Sequence, residues 1–383
     1  MYAAALLVGC QNSPEDRLWV DSSINNQPVH LFADTGSTIS MLRSSAVEKL
    51  GLKTTAPPSR PNLPPGTLSF PVTELGNLSF FNSTDRIHFG EQDMPEYIRF
   101  DADGVVGWSE LRRKILLFDA IARQIQPLDK LPDDIAGWTR LRVFPSREML
   151  IMEMPMPGGS LGLIYVDTGN PSGVGLSPEH WQAWSAAHPG VQKTMRIYYT
   201  PGAGVVTCEQ SWAREISLGS LTLTDTPVEE GDPVTTRAGG PRHVATLGLA
   251  ALRRLDFILD GPQNVVYLRP KNTPPMPFEH NRLGAVFTLL GPDGESLVAH
   301  VADGTPAYQA GLRNGDIITK INNVYRLNWE KHPSLGLPDF VWPSGTKITF
   351  QILREGGHYL LFARLRDLIG PDSSGFQPAA GEH

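Results

Sequence analysis

One pattern occurs twice in this 383-residue chain, and it limits the possible folds more than any other feature. The segment Val105-Val106-Gly107-Trp108-Ser109-Glu110-Leu111-Arg112-Arg113 has a twin in Thr246-Leu247-Gly248-Leu249-Ala250-Ala251-Leu252-Arg253-Arg254. The register continues, because Phe118-Asp119 and Leu259-Asp260 each begin five residues after an arginine pair. Upstream of each copy an apolar run ends in Asp-Thr-Gly. Val29 to Ala33 leads into Asp34-Thr35-Gly36-Ser37, and Leu161 to Val166 leads into Asp167-Thr168-Gly169-Asn170. Asp34 precedes Gly107 by 73 residues and Asp167 precedes Gly248 by 81. Two halves of similar length with matching landmarks imply a duplicated, two-lobed domain.

The style of the sequence between the landmarks is that of a β protein. Runs of β-branched and aromatic residues at 27–32, 162–166, 196–200, 205–208 and 264–268 alternate with Gly, Pro, Asn and Asp, which reads as short strands joined by tight turns. Helical periodicity is rare, with Glu179 to Ala187 as a candidate. The stretch Thr54 to Gly66 carries five prolines and is incompatible with a helix or an interior strand. A second Pro-rich stretch, Arg269 to Phe278, reads as a domain linker, and the chain after Ile369 reads as a disordered tail. Length alone allows two or three domains at about 150 residues each.

The paired Asp-Thr-Gly turns, each after an apolar strand and each followed by an apolar-apolar-Gly element, resemble the two lobes of an aspartic protease. Having both lobes in one chain resembles the pepsin-like arrangement, while each lobe has the compact length of a bacterial retropepsin-like unit. The resemblance implies catalysis by Asp34 and Asp167. Two carboxyl groups within reach of one water cannot both ionise, so they share a proton and titrate as a pair. The ionised one takes a proton from the water while the protonated one polarises the scissile carbonyl. Gly36 and Gly169 are expected to allow a sharp turn and to donate N–H groups to the carboxylates. Thr35 and Thr168 are expected to bond across to the opposite turn. Ser37 fills the small hydroxyl position after the first turn. Asn170 departs from that pattern, and its side-chain amide is expected to donate to Asp167.

A substrate-covering hairpin is expected in each half. In the first, Phe70 to Phe81 bends at Leu75-Gly76-Asn77; in the second, Ile197 to Val206 carries Tyr198, Tyr199 and a tip at Gly202. Tyr198 and Tyr199 read equally as strand core residues.

From Phe278 onward the chain resembles a PDZ domain of the bacterial protease-associated type. The signal lies in Val301-Ala302-Asp303-Gly304-Thr305-Pro306-Ala307-Tyr308-Gln309-Ala310-Gly311-Leu312 and Asn314-Gly315-Asp316-Ile317-Ile318-Thr319-Lys320-Ile321. Thr-Pro opens a short helix and Gly closes it. The resemblance places a carboxylate-binding loop at Leu283, Gly284 and Ala285, whose N–H groups would capture a peptide C-terminus. Pro333, Gly336 and Pro338 interrupt the position of the groove helix, so a module used only for packing is the other reading.

The fold expected is therefore mainly β: a two-lobed aspartic protease β-barrel domain (lobes 16–130 and 131–270), a PDZ-like β-barrel module (278–366) and a tail (370–383). Residues 1–15 form a separate N-terminal segment. There Leu7-Val8-Gly9-Cys10 resembles a bacterial lipobox, implying a lipidated Cys10, export and a periplasmic or cell-envelope location; a frayed strand with a buried thiol is the other reading. With Cys10 so used, Cys208 is expected to be a buried apolar residue.

Other chemistries are excluded. The balance of 33 basic and 40 acidic side chains, with no basic block, argues against a nucleic-acid partner. Two cysteines cannot make a disulfide scaffold or a Cys-based zinc site, and the ten histidines show no ligand spacing, so no metal or cofactor is expected. Gly158-Gly159-Ser160-Leu161-Gly162 matches the serine-hydrolase elbow but precedes a strand instead of following one. The partners expected are a peptide or unfolded polypeptide substrate and a C-terminal peptide at the PDZ module. The rival from another class is a catalytically silent peptide-binding scaffold on the same fold.

Overall fold

Each lobe grows from a strand that delivers its Asp-Thr-Gly turn. In the computed structural model, which describes residues 17–55, 72–75, 87–91, 102–146, 148–200, 204–231, 243–290, 296–325 and 340–371, Trp19–Ile24 pairs antiparallel with Gln27–Asp34. Asn25 and Asn26 make the two-residue connection with φ of 51° and 63°. Tight hairpins need that left-handed backbone at both central positions, and Asn tolerates it well. Within Gln27–Asp34 the residues Val29, Leu31 and Ala33 are buried, and Asp34 is carried to the strand's end. Gly104–Gly107 runs parallel beside it, with Asp34 opposite Gly107.

The second lobe repeats this. Leu150–Pro155 pairs antiparallel with Leu161–Val166, which runs parallel to His243–Leu247 with Val166 opposite Leu247. In both lobes the glycine at the close of the parallel strand, Gly107 or Gly248, meets the backbone that follows the Asp-Thr-Gly turn. A Cβ on Gly107 would lie 2.4 Å from the Ile39 carbonyl oxygen, and one on Gly248 would lie 2.4 Å from that of Ser172. The repeated apolar-Gly element is thus a packing requirement, because no side chain fits at that crossing.

The lobes join through the strands that continue the repeat. Ile115–Asp119 pairs antiparallel with Leu255–Asp260, and Phe118 meets Phe257 edge-on at 5.0 Å between ring centres. A single buried cluster runs through both lobes, including Trp108, Phe118, Ile164, Val166, Leu247, Leu249 and Phe257. Apolar burial is the main stabilising term of such a fold, so a core shared across the junction makes the lobes fold as one unit.

The chain is mainly β, as expected. The helical candidate is observed as Pro178–Ala187, opened by Pro178 in the first turn, where a missing N–H costs nothing. Thr54–Thr55 is a short exposed strand pairing with Val72–Leu75, while the proline run after it lies outside the described residues. Residues 1–15 with Cys10, and the tail from 372, also lie outside them.

The third module is a separate sheet in the order Ala285–Leu290, Ser296–Val301, Ile317–Ile321, Lys347–Arg354, Gly357–Arg364. Phe287, Phe340 and Phe350 meet edge-on in its core. The helix Pro306–Gln309 is capped by Thr305, whose hydroxyl accepts from the Tyr308 N–H, and the chain then turns at Gly311 with φ of 93°. This module packs on the second lobe. Met195 and Ile197 bury against Val286 and Ala302, the Thr194 hydroxyl donates to the Asn281 carbonyl at 2.5 Å, and Trp212 packs with Phe278, Leu368 and Ile369. Buried packing therefore runs through Ile369, three residues beyond the boundary drawn from sequence.

Candidate active site

The topology brings Asp34 and Asp167 face to face, and their carboxyl groups hydrogen-bond each other. Asp34 Oδ1 accepts from the N–H groups of Gly36 at 2.8 Å and Ser37 at 3.1 Å. Asp167 Oδ1 accepts from the Gly169 N–H at 2.9 Å. Each turn also abuts the opposite carboxyl group. A Cβ on Gly36 would lie 2.6 Å from Asp167 Oδ1, and a Cβ on Gly169 would lie 2.6 Å from Asp34 Oδ2. The two glycines do not take up positive φ. The expected turns and N–H bonds are present, and these positions also need glycine so that the other carboxyl group can approach.

The threonines lock the pair. Thr35 N–H donates to Thr168 Oγ1 at 3.0 Å and Thr168 N–H donates to Thr35 Oγ1 at 3.1 Å. Each hydroxyl passes its own proton across the lobe boundary, Thr35 to the Val166 carbonyl at 2.6 Å and Thr168 to the Ala33 carbonyl at 2.8 Å. All four bonds join one lobe to the other within a fully buried pair of residues. In a low-dielectric interior such a satisfied network holds the carboxyl separation fixed.

The dyad is not electrostatically symmetric. Burial and the neighbouring Asp167 charge raise the Asp34 pKa well above the ordinary carboxyl value, with the hydrogen bond to Asp167 adding to this. Burial also raises Asp167, but the N–H groups of Gly169 and Asn170, the bond from Asp34 and the Arg196 charge pull it back down. Asp34 is 1% exposed, whereas Asp167 keeps part of its surface open. Both carboxyl groups are thus raised by burial, and the groups that lower them differ on the two sides.

Asn170 behaves differently from the expectation. Its side-chain Oδ1 accepts from the Ser172 N–H at 3.0 Å and from Arg196 Nη2 at 3.5 Å, so the amide is turned to neighbours other than the dyad, and the backbone N–H is the group that lowers Asp167. In the first turn Ser37 Oγ donates to the Ile39 carbonyl at 2.9 Å. Arg196 also donates through Nη1 to Glu229 Oε1 at 2.6 Å, and Gln210 holds the second Glu229 oxygen at 2.9 Å. Nothing in the local sequence marks Arg196, Gln210 or Glu229; only the strand pairing brings them to the catalytic turn. Cys208 is buried as expected, and burial pushes its thiol pKa well up.

The strands of the second expected hairpin pair: Lys193–Thr200 runs antiparallel to Gly204–Leu218, with Thr200 opposite Gly204. Tyr198 is buried, under the Arg196 guanidinium at 5.4 Å, which fits the core reading; the tip with Gly202 lies outside the described residues, as does the side chain of Tyr199. The first hairpin is corrected. Leu75 pairs with Ile87, so the strand returning against Val72–Leu75 is Ile87–Glu91, and the bend expected at Gly76-Asn77 lies outside the described residues.

The PDZ loop is also corrected. The N–H groups of Leu283 and Gly284 both donate to Asn281 Oδ1 at 2.9 Å, and Leu283 and Ala285 are fully buried. Donors expected to meet a ligand carboxylate are satisfied by a side chain of the same loop. Gly284 sits at φ of 74° against the Thr305 side chain, which fixes the loop's shape.

Comparison with known proteins agrees with this geometry. Residues 20–76, holding the first catalytic turn, match the sequence model of the aspartyl protease family, and residues 297–331 match that of the PDZ domain. The two matches together cover less than half of the chain, and no curated protein matches it. The matched regions and the mainly β architecture fit an aspartyl protease-like region followed by a PDZ-like module.

Proposed function

We propose that the protein is an aspartic endopeptidase acting on peptides or unfolded polypeptides. The observation that carries this reading is the hydrogen-bonded Asp34–Asp167 pair, held across the lobe boundary by the reciprocal Thr35 and Thr168 bonds. Asp167, ionised, accepts a proton from a water lying between the carboxyl groups. The hydroxyl adds to the scissile carbonyl carbon while Asp34 gives its proton to the carbonyl oxygen. The tetrahedral diol then breaks its C–N bond. Asp167 passes its new proton to the leaving nitrogen, and Asp34 recovers one from the diol as the carboxylic acid forms. The water is consumed and the dyad returns to its starting state.

Purified protein should cleave an unfolded polypeptide with an acid-shifted, bell-shaped pH profile. Asp34→Asn and Asp167→Asn should each lower kcat at least about a thousandfold with little change in KM. Unchanged cleavage by Asp34→Asn overturns catalysis by the dyad, and no cleavage by the wild type at any pH favours the silent scaffold.

The PDZ module is assigned a bracing role, because peptide capture at its loop would first have to displace Asn281 Oδ1 from two N–H groups. The lipobox-like Cys10 supports a lipid-anchored, exported protein at the cell envelope. Mass spectrometry of the cell-purified chain tests this: a diacylglyceryl mass on Cys10 supports it, and an unmodified residue preceded by the intact segment overturns it.

A further inference from the structure

We propose that Arg196 is a positioning residue of the dyad, reaching from the strand Lys193–Thr200 to hold Asn170 beside the second catalytic turn and to bring a positive charge to the Asp167 side of the pair. This deepens the endopeptidase reading and rests on it for its kinetic consequences. The two catalytic turns share their backbone pattern, so the fold by itself gives no reason for one carboxyl group to differ from the other. The difference comes from what lies behind them. Behind the first turn the Ser37 hydroxyl bonds the Ile39 carbonyl, whereas behind the second the Asn170 side chain is bonded by a guanidinium.

The surroundings of Arg196 are specific. Its side chain is 15% exposed and that of its partner Glu229 is 5% exposed. A buried ion pair adds little net stability, because desolvation offsets most of the attraction. The geometry therefore points to placement of charge as its effect. The groups around Arg196 are Asp167 and Asn170 of the catalytic turn, Tyr198 on its own strand, Cys208 opposite it and Gln210 on Gly204–Leu218, and Glu229 on Leu221–Glu230, with Glu209 and Glu230 one position along their strands. Of these, Cys208 stays a neutral thiol, and Glu209 is paired with Lys193 at 2.6 Å. Glu229 is the fixed counter-charge, and it holds the guanidinium in its charged state. Because Glu229 bonds Nη1 and Asn170 meets Nη2, one planar fork links the two, a geometry that an ammonium cannot reproduce.

The test uses full-length Arg196→Met, Arg196→Lys, Glu229→Gln and the double variant Arg196→Met/Glu229→Gln, each followed through the pH profile of kcat/KM and the carbon-13 titration of the Asp34 and Asp167 carboxyl groups. Removing the cation should move the acid limb, and the Asp167 titration with it, upward by about one pH unit. Glu229→Gln leaves the cation uncompensated and should move both downward. The double variant should fall between them, and Arg196→Lys should keep the limb near wild type while lowering kcat several-fold. Opposite shifts support the inference, since a merely structural loss does not reverse sign between the partners. Shifts in the same direction, or none in well-folded variants, overturn it. If Arg196→Met does not fold, the direction of the Glu229→Gln shift decides. If the wild type does not cleave, the endopeptidase reading fails, and the carbon-13 titrations alone decide the role of Arg196.

Discussion

Gly36 and Gly169 show how a single hydrogen in place of a methyl group sets the chemistry of the whole site. Each lies where a Cβ would fall 2.6 Å from the opposite carboxyl oxygen, well inside contact distance. Gly36→Ala is therefore expected to push Asp167 away from Asp34, lowering kcat at least about a hundredfold and destabilising the fold by about 1–3 kcal/mol. Kinetics alongside urea denaturation checks both; wild-type kcat in the variant contradicts the argument. His243, the first residue of the parallel strand of the second lobe, makes a different prediction. Its ring stacks 4.4 Å from Tyr165 and bonds Thr246 at 3.1 Å, and burial lowers its pKa to about 4. The unfolded chain takes up a proton there below about pH 6.5, while the folded one does not until about pH 4. Its contribution is thus present above pH 6.5 and is lost as pH falls toward 4, a change of about 3 kcal/mol at most. Urea midpoints at pH 4.5 and 7 for wild type and His243→Gln measure it, and the wild type should lose more on acidification than the variant.

At the scale of elements, Lys193–Thr200 is the strand on which the molecule's parts converge. Arg196 reaches the catalytic turn, while Met195, Ile197 and the fully buried Thr194 meet the PDZ module. Thr194→Val should cost about 1 kcal/mol by deleting the hydroxyl donor to Asn281. Val286→Asp should do more, placing a carboxylate against Met195 and Ile197. In both variants, hydrogen exchange of the Lys193–Thr200 amides should quicken while those of Ile317–Ile321 stay protected. Exchange that is unchanged in this strand would show that the module does not brace it. This convergence explains what was readable from the sequence. Asp34, Thr35, Gly36 and their twins are adjacent in the chain, and their repeat at a matched distance from Gly107 and Gly248 made the dyad visible. The capping residues Thr305 and Gly311 are equally local signals. Arg196, Glu229 and Asn281 act through strands paired over long separations, and no spacing rule encodes such meetings. The first covering hairpin failed for a related reason. A returning strand within Phe70 to Phe81 was expected, but register is settled by which strand lies opposite, and Leu75 lies opposite Ile87.

At the scale of the whole molecule, the duplicated fold stores an electrostatic cost at its centre of symmetry. Two lobes that each end a buried strand in a carboxyl group must bring those groups together, and both pKa values rise through burial. The cross-bonded threonines and the shared core oppose the separation that repulsion would otherwise cause. The linkage has a definite sign. Above about pH 3.8 an unfolded aspartate gives up its proton, whereas Asp34 in the folded protein keeps it to a much higher pH. In that window the folded state binds more protons than the unfolded one, so the contribution of Asp34 is fully present below pH 3.8 and is lost as pH rises through its folded value. Asp34→Asn removes the titration and the like charge together while leaving an oxygen to accept the N–H groups of Gly36 and Ser37. The variant should therefore be inactive yet more resistant to unfolding at neutral pH, by a few degrees in Tm, with the advantage shrinking toward pH 4. Thermal denaturation across that range gives the answer. A Tm below wild type at neutral pH, or an advantage that grows on acidification, would show that the dyad is held without the repulsion that its geometry requires.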